Sequence, residues 1–241
     1  MSTTYISSMF ADADIASIAE LLADQARARI VLTLSDGRRL SAGALAHAAR
    51  VSPSGASAHL KKLVAGGVLA VQRCGRSRDY HLADARIVAV LEGMALLARP
   101  IEARTAQEAY AARAIRVARM CYDHLAGVLG VAISEALVKQ QSLTLNNEEY
   151  TLTATGVERF AAIGIDVENI VDAARRTRRP LMRMCLDWSE RRPHVAGALG
   201  AALATRLLEL GWLERMPATR AVRITNVGRR AMRREFDVAL G

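Results

Sequence analysis

The chain has 241 residues, of which 51% are hydrophobic, 24% charged and 4% aromatic. That balance excludes a disordered or fibrous chain, leaves room for one large domain or two small ones, and favours helices packed through small side chains over a β-sandwich. The formal charge of +9 and sequence pI of about 10.2 suit a polyanionic partner.

Taken in order, Ile15, Ile18, Leu21 and Leu22 recur at helical spacing, with Asp14 placed to cap the first turn. A second helix is expected from Gln25 to Leu34, ended by Asp36-Gly37. Ser41 starts a short third helix carrying Leu45 and Ala49. Ser52-Pro53 is a strong helix start, because Ser caps and Pro fits the first helical position. This fourth helix runs through Leu60 and Leu63 to a stop at Gly66-Gly67. Val68 to Val71 reads as a strand, Gln72 to Arg78 as a basic tip, and Tyr80 to Leu82 as the returning strand. Asp84 is expected to cap a long apolar helix reaching about Arg99, where Pro100 marks a break or a new helix start.

Two helices joined by a short turn and followed by a two-stranded hairpin make a winged helix-turn-helix. In such an arrangement one helix enters the major groove of double-stranded DNA, and the hairpin tip reaches neighbouring phosphates. The helix must be small or polar near its start, and Ser52-Pro53-Ser54-Gly55-Ala56-Ser57 meets that need. Ser52, Ser54, Ser57 and His59 are therefore expected at bases or phosphates. Lys61, Lys62, Arg73, Arg76 and Arg78 are expected to neutralise phosphates. They belong to a run of eight basic residues, with Arg38, Arg39 and Arg50, that no acid interrupts between Asp36 and Asp79. The bland alternative is a solvated basic helical hairpin.

Residues 22–82, LADQARARIVLTLSDGRRLSAGALAHAARVSPSGASAHLKKLVAGGVLAVQRCGRSRDYHL, resemble the ArsR/SmtB repressors. The opening ADQARARI, the helix-turn-helix, the AGGVL exit and the RSRDYHL wing carry the likeness. The resemblance implies a homodimeric transcriptional repressor that leaves a palindromic operator when an effector binds. Metal-sensing members often carry a Cys-x-Cys-type motif on the third helix. Here that stretch is Leu40 to Leu45 and has no thiol, so arsenic sensing is not implied. Dimerisation is expected through the first helix and the helix after Asp84, with Val88, Leu91, Ala95 and Leu96 facing the partner.

The expected organisation is mainly α: a reader and dimerisation domain over residues 1–100, then an α-rich sensing domain over 101–241. The second part contains an internal repeat, at about 115–164 and 179–236. Arg119-Met120-Cys121-Tyr122-Asp123-His124 parallels Arg183-Met184-Cys185-Leu186-Asp187-Trp188. Leu125 to Gly130 parallels Val195 to Gly200 after an insertion ending in Pro193-His194, and Leu152 to Gly156 parallels Ile224 to Gly228. Each unit reads as helix, helix, short strand and helix, with Thr153 and Thr225 as N-caps.

Packing of such units about a pseudo-twofold axis would bring Cys121 and Cys185 together, with Asp123, His124, Asp187 and His194 close by. Three readings stand for this group. The cysteines are core hydrophobes and the acids caps or arginine partners. Or thiolates and imidazoles bind a soft metal such as zinc, copper or mercury. Or the thiols are redox-active, or an organic ligand lies between the repeats. Arg175 to Arg179 reads as a solvated helix end, Trp188 and Trp212 as core, and Cys74 as an incidental thiol on the wing.

Three cysteines so scattered do not build a disulfide framework and suit a reducing compartment. No basic stretch precedes an apolar run at the N-terminus, where Asp12 and Asp14 lie, so no secretory leader is expected. Ile87 to Leu97, interrupted by Glu92, is too short to span a bilayer. The expected setting is the cytoplasm. An enzyme with a winged-helix appendage, or a protein-interaction module, is the alternative function. Phosphate-cradling loops, Gly-x-Ser-x-Gly and HExxH are all missing from the sequence.

Overall fold

The computed structural model describes residues 13–75, 77–99 and 101–239. Asp12, Arg76 and Pro100 lie outside the described residues, as does the side chain of Cys74. The chain divides into two compact units. One comprises the residues up to Leu32 together with Arg39–Asp84; the other comprises Thr33–Arg38 together with the chain from Ala85 onward.

The first unit is a winged helix-turn-helix. Its elements are α1 (Ile15–Ala23), α2 (Gln25–Thr33), β1 (Leu40–Ser41), α3 (Ala42–Ala49), α4 (Pro53–Ala65), β2 (Leu69–Cys74) and β3 (Ser77–Leu82). Helix starts follow local chemistry. Asp14, Ser41 and Ser52 each accept a backbone N–H of the first turn, from Ser17, Ala44 and Gly55 respectively. Arg50, left-handed at φ 59°, ends α3, and Pro53 opens α4, so the turn between them is short. Helices α3 and α4 pack on each other, and α4 packs on β2. Their inward side chains, Leu45, Ala46, Ala49, Ala56, Leu60 and Leu63, are buried. The wing is an antiparallel β1-β3-β2 sheet in which Val71 faces Tyr80 and Cys74 faces Ser77. The edge strand β1, paired through Leu40 and Ser41, is an addition to the expected hairpin.

Beyond Thr33–Arg38, the second unit comprises α5 (Arg86–Leu97) and α6 (Ala106–Val117). Hairpin β4 (Arg119–Cys121)–β5 (His124–Ala126) follows, then α7 (Gly127–Lys139), hairpin β6 (Leu143–Asn146)–β7 (Glu149–Leu152), α8 (Ala154–Ala162) and α9 (Val167–Thr177). The chain continues with hairpin β8 (Arg183–Leu186)–β9 (Pro193–Ala196), α10 (Gly197–Glu209), hairpin β10 (Leu213–Arg215)–β11 (Val222–Ile224) and α11 (Asn226–Phe236). Hairpin, thirteen-residue helix, hairpin and helix thus succeed one another twice. Thr153 and Thr225 cap α8 and α11 through the N–H groups of Gly156 and Gly228. A core built from Met120, Leu125, Leu129, Phe160, Leu199, Trp212, Phe236 and their neighbours fills the unit.

Three expectations need correction. The stretches around Cys121 and Cys185 are strands, not helices. Each runs directly into a hairpin partner, and the following helices start at Gly127 (φ +78°) and Gly197 (φ +90°). A Cβ at Gly127 would meet the Arg116 carbonyl oxygen at 2.5 Å, and one at Gly197 would meet Met182 Cα at 2.8 Å, so glycine alone makes this strand-to-helix switch without strain. Second, Val88 and Leu91 are buried within the single chain and cannot face a partner. The apolar side chains that α5 leaves exposed are Val90, Met94 and Leu97. Glu92, one turn after Val88 on the same face, is also buried. Nor does Asp84 cap α5, whose N-cap is Ala85.

Candidate metal centre and nucleic-acid interface

In the first unit Ser52, which caps α4, and Ser54 and Ser57 in its first turns are exposed. Ser52 Oγ caps the Gly55 N–H at 3.2 Å and lies 3.1 Å from Ser54 Oγ, while Ser57 Oγ donates to the Pro53 carbonyl. Lys61 and Lys62 are exposed one turn further on, and Arg73 and Arg78 face each other, also exposed, near the end of the wing. His59 is half-buried, with Nδ1 3.6 Å from Asp24 Oδ1, so it is drawn toward the start of α2. Hydroxyls and cations are the kinds of group that hydrogen-bond base edges and pair with phosphates.

In the second unit, β4 and β5 put Cys121 opposite His124, and β8 and β9 put Cys185 opposite His194. The two hairpins meet along β5 and β9. One sulfur or ring nitrogen from each of these four residues lies within 4.8 Å of the other three. The imidazoles of His124 and His194 are tilted by 32° with centroids 5.2 Å apart. Cys121, His124 and His194 are buried, and Cys185 is half-buried.

A carboxylate stands behind each histidine. Asp123 Oδ1 is 3.4 Å from His124 Nδ1, and its other oxygen accepts from Arg179 at 2.6 Å. Asp187 Oδ2 is 3.6 Å from His194 Nδ1, a charge contact longer than a hydrogen bond. Both Nε2 atoms are buried with no hydrogen-bond partner among the described residues. The two acids therefore flank the cluster from behind rather than join it.

The electrostatics are uneven. Cys121 is pushed up to about 11, first by the hydrogen bond it shares with Cys185 and then by burial; the same contact lowers Cys185. Burial pulls His124 down, but Asp123 and Cys121 more than offset it and raise this histidine. Burial dominates at His194 and lowers it. Burial also opposes ionisation of Asp187, yet Arg119, the Gly127 N–H and Ser189 hold its carboxyl far below the usual range.

Sequence reasoning missed the ion network behind Asp187. Arg119, wholly buried, reaches Asp187 Oδ1 at 3.0 Å and Glu92 Oε2 of α5 at 3.5 Å, and its guanidinium lies 4.9 Å over the Trp188 ring. Glu92 also pairs with Arg220 at 2.5 Å. The signal available was Glu92 itself, an acid inside an apolar helix. Arg179, expected in a solvated helix end, is the partner of Asp123. Trp212 is buried in the core as expected. No helix of the described residues is long and apolar enough to cross a membrane.

Residues 22–72 match the helix-turn-helix domain family. Over 227 residues, 94% of this chain and 99% of the relative, the sequence is 41% identical to the uncharacterized HTH-type transcriptional regulator YdfF of Bacillus subtilis (strain 168). Among solved structures, similarity is found to the transcriptional repressor BigR from Xylella fastidiosa, with 19% identity and a TM-score of 0.35 over 41% of this chain and 100% of that one. It is also found to the cadmium metal-sensor CMTR from Mycobacterium tuberculosis, with 28% identity and a TM-score of 0.32 over 38% of this chain and 94% of that one. With a relative aligned over nearly the whole of both chains, and a winged helix-turn-helix in its first unit, this chain belongs to the HTH-type transcriptional regulators, DNA-binding proteins that control transcription.

Proposed function

We propose that the chain is a homodimeric repressor that binds a palindromic operator through α4 and the β2–β3 wing and leaves it when an effector occupies the second unit. The observation that carries the DNA half is the exposed face of α4, with Ser52, Ser54, Ser57, Lys61 and Lys62, joined by exposed Arg73 and Arg78. No acid interrupts the sequence between Arg38 and Arg78. Ser54 and Ser57 read bases; the lysines and the wing arginines, Arg76 included, neutralise phosphates.

Two copies place their α4 helices in successive major grooves, about 34–36 Å apart. Exposed Ile15 and Ile18 on α1, and Val90, Met94 and Leu97 on α5, supply apolar surface for the dimer. In this reading residues 1–100 read DNA and dimerise, while 101–241 sense. The repeated succession of elements in the second unit, and its matching Thr caps, support descent from a duplicated unit spanning about 115–164 and 179–236. A regulator of this kind works where the operator is, in the cytoplasm.

Fluorescence anisotropy on the DNA upstream of its own gene, against a scrambled duplex, tests this reading. The expected result is preference for the upstream DNA. Lys61→Ala should weaken binding to both duplexes and flatten the plot of log affinity against log salt by about 0.9 per lost phosphate contact. An unchanged salt slope would remove Lys61 from the phosphate contacts.

A further inference from the structure

We propose that Cys121, His124, Cys185 and His194 together hold one tetrahedral metal ion of the zinc class, two ligands coming from each hairpin. The site is empty of any assigned role in DNA reading, and four observations point to a cation.

The first is geometric. Zinc takes sulfur at about 2.3 Å and imidazole nitrogen at about 2.0–2.1 Å, which puts tetrahedral ligand atoms about 3.3–3.8 Å apart. The four ligand atoms already lie within 4.8 Å of one another. Contraction to that spacing is the change that metal binding asks of the four side chains. The second is the state of the histidines. At His124 the Asp123 carboxylate at Nδ1 favours the neutral tautomer protonated there, which leaves Nε2 as a lone-pair donor; at His194 neither ring nitrogen has a hydrogen-bond partner among the described residues, so Nε2 is open to a ligand as well. Both Nε2 atoms are buried and lack a hydrogen-bond partner among the described residues, a costly arrangement that a cation resolves.

The third is the donor set. Two thiols and two imidazoles suit zinc and disfavour calcium or magnesium, which take oxygen ligands. Four protein ligands complete the tetrahedron, so no position is left for a catalytic water. The fourth is charge. Arg179 pairs with Asp123 and Arg119 with Asp187, so the carboxylates behind the site are already neutralised. Two thiolates then balance a divalent ion, each thiol releasing its proton to solvent as it binds. A Cys121–Cys185 disulfide is the competing reading, but it would leave both Nε2 atoms without a partner.

The site is also wired to α5. His194 contacts Asp187, Asp187 holds Arg119, and Arg119 reaches Glu92 on α5. Occupancy by metal therefore bears on the helix whose outer face carries Val90, Met94 and Leu97. That the metal is the effector rests on the repressor reading above; that it binds does not.

The test is a titration of the reduced, metal-free full chain with Co2+, displaced afterwards by Zn2+. One equivalent per chain is expected, with the intense ligand-field bands of tetrahedral cobalt and a sulfur-to-metal charge-transfer band. Zn2+ should also shield Cys121 and Cys185 from alkylation. Cys185→Ser should lose most of the charge-transfer intensity, and His194→Gln should weaken binding at least tenfold while both thiols stay countable. Folding of each variant is checked by circular dichroism. Should a variant fail to fold, wild-type stoichiometry and thiol shielding decide alone.

Absence of stoichiometric Co2+ or Zn2+ binding, binding of Cu(I) only, or unchanged binding in both variants would overturn the proposal. So would formation of a Cys121–Cys185 disulfide that histidine substitution leaves untouched and metal does not prevent. Operator binding measured with and without Zn2+ separates the two claims. A drop of roughly 5–150-fold is expected for an effector. Zinc bound with operator affinity unchanged would overturn the effector role alone, and loss of operator preference in both states would strike the repressor reading instead.

Discussion

The β4–β5 and β8–β9 hairpins offer the cluster the same pair, a cysteine facing a histidine, but support it differently. In the first, Asp123 sits in a tight turn, partly exposed, and answers to Arg179 at the surface. In the second, Asp187 opens a longer connection and is wholly buried. It accepts the N–H groups of Gly127, Ser189 and Glu190 and the Ser189 hydroxyl, and it forms an ion pair with the Arg119 guanidinium. The residues at the start of the two hairpins diverge as well: Arg119 is buried, whereas Arg183 is exposed. Matching side chains face the cluster, and the asymmetry lies behind them. One hairpin rests on solvent-side charge, the other on a buried network leading to α5.

The largest effect that this contrast predicts is at its arginines. Arg119→Met leaves Asp187 as a buried, uncompensated carboxylate and should cost about 3–5 kcal/mol in chemical denaturation. Arg183→Met should stay within about 0.5 kcal/mol. Equal losses would mean that the two hairpins are supported alike. Next come the switch glycines. Gly127→Ala and Gly197→Ala each force a positive φ and a backbone clash, and each should lower stability by about 1–3 kcal/mol. A neutral Gly197→Ala would show that this strand-to-helix switch can relax.

The carboxylates give the finest comparison. Asp187→Asn should weaken zinc-class metal binding about 10–100-fold, because His194 loses its charged partner and Arg119 its counter-ion. Asp123→Asn should cost under about 1 kcal/mol of stability and weaken metal less, since its ion pair is near the surface. A larger loss at Asp123 would reverse the asymmetry.

How far the sequence discloses all this depends on the range of each signal. The caps at Asp14, Ser41, Ser52, Thr153 and Thr225 are local, made within one turn, and are readable without the fold. So is the order of helices and wing in the first unit. The parallel between Arg119–Asp123 and Arg183–Asp187 is readable too, and it singles out the two cysteines. Strands as short as Arg119–Cys121 carry no periodicity to read; what makes them strands is a hairpin partner and the glycine after it. The burial of Arg119 and the pairing of Arg179 with Asp123 join residues far apart in the chain. Only tertiary packing brings them together. Apolar spacing alone does not tell which face of α5 turns inward, since Glu92 lies on that face and pairs with Arg220.

The measurement that tests the account most directly is operator anisotropy of the reduced full chain, metal-free and then with one equivalent of Zn2+ per chain. The account predicts preference for the upstream DNA over the scrambled duplex, and its loss, roughly 5–150-fold, on adding zinc. Equal affinity for the two duplexes, with zinc and without it, would contradict it.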